Sequence, residues 1–122
     1  MSLLTLIVSI AFGLLLIAGG IAHFAKPQLS DGMIPDVLPK KAVHIFTGII
    51  EIGIGILLLF PEYRLLGLWA FGLLMLAFLP IHLIDYGRTR PIIGSHKVAA
   101  IRIAIQLVLI GVAFWLVYQN AG

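Results

Sequence analysis

Residues 42–60, AVHIFTGIIEIGIGILLLF, restrict this chain more than any other stretch. The run is apolar and long enough to cross a bilayer, yet it carries the carboxylate of Glu51 near its middle. On an α-helix at ~100° per residue, His44, Thr47, Gly48, Glu51 and Gly55 fall on one stripe, and Ile45, Ile49, Ile52, Ile56 and Leu59 fall largely elsewhere. A carboxylate at bilayer depth costs a few kcal/mol on insertion scales, so it is expected to face protein rather than lipid. Other segments must then supply company for an inward polar stripe.

Three further runs can do so, giving expected helices at about 3–24, 42–60, 64–86 and 97–118. Composition fits: 61% of the 122 residues are hydrophobic and 11% charged. Soluble domains carry near a quarter charged residues, and one this small cannot hide so much apolar surface. The expected fold is a single all-α domain over residues 1–122, an integral membrane four-helix bundle with antiparallel spans. The lipid bilayer is its expected surroundings.

The first run competes with a signal peptide. It has no basic start and no small-x-small cleavage site before a soluble part, so a retained helix is expected. On it Phe12, Leu16, Gly19 and His23 share a face, and Gly13 with Gly19-Gly20 permits close helix contact. The connection KPQLSDGMIPDVLPK follows, with Pro27, Pro35, Pro39 and Gly32 forbidding a long helix. Its Met33, Ile34, Val37 and Leu38 suit either a lid over the bundle mouth or an interfacial loop. Pro61-Glu62-Tyr63 forces an antiparallel hairpin, and Pro80 predicts a kink near 76–80. His82 and Asp85 stand at i, i+3 beyond it. The fourth run aligns Arg102, Gln106, Leu109 and Ala113, and ends in the interfacial aromatics Trp115 and Tyr118.

The net charge of +3 comes from residues between the apolar runs, where topology determinants lie. With no aromatic-interleaved basic patch, no nucleic-acid partner is expected. Counting Lys26, Lys40, Lys41, Arg88, Arg90 and Lys97 against Arg64 and the α-amino group places connections 25–41 and 87–97 in the cytoplasm and both termini outside. Cysteine is absent, which removes disulfides and thiolate chemistry.

The ionisable groups gather on the basic side. Glu51 lies ten residues past Lys41, hence ~15 Å deep. Arg102, five residues past Lys97, is close enough to the same level for its long side chain to reach Glu51. The expected site is a half-membrane pocket closed at its far end. Glu51 and Arg102 form a buried pair in it, and Gln106, His44, Thr47, His82, Asp85 and His23 bind a ligand. The bland alternative is polar glue that fixes which helices meet. Asp85 can equally just cap a helix end, and His23 and His96 can be ordinary boundary residues. No metal is expected, for want of a Glu-x-x-His ligand pattern.

The ordered motifs resemble the DoxX-like family of small four-helix membrane proteins. They are Gly20-x-x-His23-Phe24-x-x-Pro27, Met33-Ile34-Pro35-x-x-Leu38-Pro39, Thr47-Gly48-x-x-Glu51-Ile52-x-x-Gly55, Leu58-Leu59-x-Pro61-x-x-Arg64, Phe78-x-Pro80 and Arg102-x-x-x-Gln106-x-x-Leu109-Ile110. Departures are Thr47, where Ser is usual, and His82, where Asn often sits. The resemblance implies a four-helix fold and redox physiology, since some relatives are subunits of thiosulfate:quinone oxidoreductase. It points to a quinone as ligand and to a membrane or redox protein as partner, with a homo-oligomer also open. The competing readings are a small proton-coupled transporter and a membrane chaperone or assembly factor without catalysis.

Overall fold

The computed structural model describes residues 1–121. Four long helices account for most of them: α1 (Leu3–Ala25), α2 (Lys40–Leu59), α3 (Arg64–Tyr86) and α4 (His96–Asn120). Each is long and apolar enough to cross a membrane, and the chain is an integral membrane four-helix bundle. The ends fall within two residues of the sequence expectation. Local chemistry fixes several of them. Ser2 Oγ accepts from the Thr5 amide at 3.1 Å and Ser95 Oγ from the Val98 amide at 3.2 Å, each satisfying an orphan donor of a first turn. At the α2–α3 corner, Arg64 Nε donates to Leu58 O and its Nη2 to Leu59 O, both at 3.0 Å. The last carbonyls of α2 are thereby closed by a cation, which also suits the helix dipole.

Packing is uneven. The close pairs are α1 with α2 and α3 with α4, with α2 against α3 as a looser third. Glycines make the α1–α2 seam. A Cβ added at Gly20 would lie 2.8 Å from Gly48 O, and one at Gly55 would lie 2.7 Å from Gly13 O. Two backbones therefore touch where side chains would hold them apart, as small residues permit in membranes. The apolar core lies deeper between the pairs. Phe12 and Phe71 stack at 4.2 Å and 5°, joined by Leu16, Leu58, Leu68, Met75 and Leu116.

Pro80 sits inside a continuous α3, where it deprives the Leu76 carbonyl of its usual donor. In the same turn Gln106 Nε2 donates to Met75 O at 2.7 Å, tying α4 to α3. Connection one folds over the bundle mouth through two short 3₁₀ turns. Ile34 is its buried anchor, and Arg88 Nη1 holds Gly32 O at 2.8 Å from connection three.

Candidate functional site

The inward stripe of α2 is where the sequence puts it: His44, Gly48, Glu51 and Gly55 are all buried. What it faces differs from expectation. The glycine seam turns it toward α1, and Glu51 Oε2 stands 3.0 Å from His23 Nε2. Glu51 is 7% exposed, so this is a membrane-depth carboxylate beside an imidazole. The contact is at ion-pair distance but off line for a hydrogen bond, which leaves Oε2 without a hydrogen-bond partner.

The series continues outward. His23 Nδ1 lies 2.9 Å from His44 Nδ1, and His44 Nε2 lies 2.6 Å from Asp31 Oδ1. Asp31 belongs to connection one, and its side chain is 43% exposed. Four titratable side chains thus run in contact from the middle of α2 to the surface. Among the described residues no three His, Asp or Glu groups converge as metal ligands do.

The expected Glu51–Arg102 pair is not formed. No ion pair among the described residues involves Arg102, and its Nη1 is buried without a partner. The reason is the packing order: α4 lies on α3, while α2 turns its polar stripe to α1. Asp85 also departs from the expected ligand set. Its Oδ1 accepts from the Ile92 amide at 2.7 Å and its Oδ2 from the Ile93 amide at 3.2 Å. Arg88 Nη1 is 3.6 Å away, so this buried carboxylate organises connection three. Gln106 is fully buried, with Oε1 unpartnered. His96 stays at the surface, its Nε2 donating to Arg88 O of connection three at 2.8 Å.

Two cavities meet at His23. One of about 210 Å³ lies under connection one, with His23, Ser30, Thr47 and His82 as polar lining and Met33, Val43 and Phe78 among the apolar walls. Among the described residues no side-chain hydrogen bond occupies Thr47 or His82. The other, an open cleft of about 570 Å³, runs along the α1–α2 mouth past Asp31, Lys40, Lys41 and His44. The far end of the bundle also holds buried polar groups. Thr5 and Ser9 are buried there, and Asn120 Nδ2 donates to Thr5 Oγ1 at 3.1 Å.

Asp31 is the site residue that the sequence does not reveal. It sits thirteen positions before His44 in a segment without periodicity, so no spacing marks it. The His23–Glu51 contact did leave a signal, in matching small residues: Gly13 and Gly20 on α1, Gly48 and Gly55 on α2.

The family described as "Domain of unknown function (DUF8561)" matches residues 12–117. The chain belongs to that family. The match reaches into all four helices of the DUF8561 bundle, with Glu51, His23, His44 and Asp31 inside it. No curated protein and no solved structure matches the chain.

Proposed function

We propose that this DUF8561 protein is a quinone- or redox-associated membrane subunit whose pocket under connection one holds a quinone-type head group. The observation that carries the reading is the cavity of about 210 Å³ between His23, Thr47 and His82, with a buried carboxylate touching one of its walls. Drug-sized ligands occupy roughly 300–1,000 Å³, so the space suits one small ring with its tail leaving toward lipid. The lining has the matching chemistry. Phe78, Met33 and Val43 offer apolar faces, and Thr47 and His82 offer unengaged donors for ring oxygens. His23 joins the pocket to Glu51, which gives a bound oxygen a nearby group for proton exchange.

A quinone, when bound, would supply two-electron redox chemistry. The chain's own residues would hold the ring, exclude water and handle protons. Cysteine is absent, and electrons would come from a partner protein in the membrane. Kinship with the DoxX-like proteins, a second copy of the chain as neighbour, and cytoplasmic connections 25–41 and 87–97 belong to the same proposal. The transporter reading requires a passage through the Phe12–Phe71 layer, which is stacked and buried, so the binding reading is preferred.

The test is saturable binding of a short-tailed benzoquinone to the protein in lipid nanodiscs, measured by rapid filtration. Replacing Thr47 by Val and His82 by Leu together should weaken binding about tenfold or more, since one lost buried hydrogen bond amounts to about 1–3 kcal/mol. No saturable binding, or binding indifferent to both substitutions, overturns the reading.

A further inference from the structure

We propose that Glu51, His23, His44 and Asp31 form a proton-transfer chain between the middle of the membrane and the surface at connection one. The argument starts from which atoms face each other. Asp31 Oδ1 is 2.6 Å from His44 Nε2, and an ionised carboxylate only accepts, so His44 carries its proton on Nε2. The other nitrogen of a neutral His44, Nδ1, is then an acceptor. It lies 2.9 Å from His23 Nδ1, so His23 carries its proton on Nδ1 and leaves Nε2 bare. That bare nitrogen lies 3.0 Å from Glu51 Oε2, where a protonated Glu51 donates to it. One tautomer assignment orders all three contacts, with every donor on the inner side and every acceptor on the outer.

Such an array passes a proton without moving any heavy atom far. The Glu51 proton goes to His23 Nε2, and the His23 Nδ1 proton goes to His44 Nδ1. The His44 Nε2 proton then goes to Asp31 Oδ1. Glu51 ends ionised and Asp31 protonated, each imidazole has changed tautomer, and charge and protons balance. The reverse shift loads Glu51 from the surface. Exposure is greatest at the outer end: the Glu51 and His44 side chains are 9% and 6% exposed, the His23 side chain 19% and the Asp31 side chain 43%. Water therefore meets the chain most freely at Asp31. The first link closes when the Glu51 carboxyl turns into line, with Gly19 leaving room beside Oε1.

The charged and titratable neighbours frame the route. His82 of α3 shares the inner cavity with His23, and α4, packed on α3, carries Arg102. Lys40 and Lys41 of α2 flank Asp31 and His44 in the outer cleft. The chain shares Glu51 and His23 with the proposed quinone pocket and deepens that reading. Its test uses no quinone, so either can fail without the other.

The experiment is a pH jump on the protein in nanodiscs, followed by infrared absorption of the carboxyl group. The band that disappears in Glu51→Gln belongs to Glu51, and its rate of change is the readout. His44→Gln keeps hydrogen-bonding atoms but cannot exchange tautomers, and should slow the response about 100-fold, the low end of what a positioned acid–base group contributes. Asp31→Asn should slow it too and Asp31→Glu should restore it, and these exposed variants carry the test if the buried one does not fold. Asp36→Asn, at a fully exposed acid of the same connection, should leave the rate alone. A Glu51 band that ignores pH, or one that responds equally fast in His44→Gln and Asp31→Asn, overturns the proposal.

Discussion

Replacing Gly20 by Ala should damage both the bundle and its site, by amounts that follow from the α1–α2 seam. The new Cβ would lie 2.8 Å from Gly48 O and 3.1 Å from Ile52 N. Both are backbone atoms and cannot rotate away. Reaching an ordinary contact of 3.4 Å requires the helices to part by about 0.6 Å. Overpacking of this kind costs about 1–3 kcal/mol, while Ala in place of Gly in a helix returns about 0.8–1.0 kcal/mol. The expected net effect is a loss of up to about 2 kcal/mol. Gly20 is one turn from His23, and Gly48 is one turn from Glu51. The same separation takes the 3.0 Å His23–Glu51 contact to about 3.6 Å, beyond hydrogen-bond reach. Gly53→Ala is the control. Nothing lies within 4 Å of its added Cβ, so stability should hold or rise by up to about 1 kcal/mol. The assay is reversible unfolding in mixed micelles, followed by circular dichroism. Equal stability changes for the two substitutions would refute the seam.

Asp85→Asn should free the Ile92 and Ile93 amides, because Asn presents one acceptor oxygen where the carboxylate presents two. Faster hydrogen exchange at those amides, with Glu51 infrared behaviour unchanged, is the expected result. Arg64→Met should keep much of the stem's packing while removing two charge-assisted bonds to the end of α2. A loss of about 1.5–3 kcal/mol in the same unfolding assay is expected.

The helices were legible because each signal was local. Runs of bilayer length, a proline-rich connection and Pro61 at the hairpin suffice to place them within two residues of their observed ends. The buried stripe of α2 was legible for the same reason, since Glu51 can face only protein. Its partner was not. Depth along the chain makes Arg102 and His23 comparable candidates, and only helix neighbourhood separates them. The deciding information lay in pairs of glycines on different helices, which have meaning only once the seam is seen. Asp85 looked like a pocket acid because it follows His82 by one turn, yet two amides of the next connection take its oxygens. Asp31 was hidden by its setting, since a segment built of short 3₁₀ turns has no face on which to align it.

The most direct measurement of the central claim is nitrogen-15 magnetic resonance of the protein labelled at histidine. The opposed Nδ1 atoms of His23 and His44, 2.9 Å apart, should show a scalar coupling across a shared proton, and His23→Gln should abolish it. Two uncoupled imidazoles, with His44 spectra indifferent to that substitution, would contradict the account.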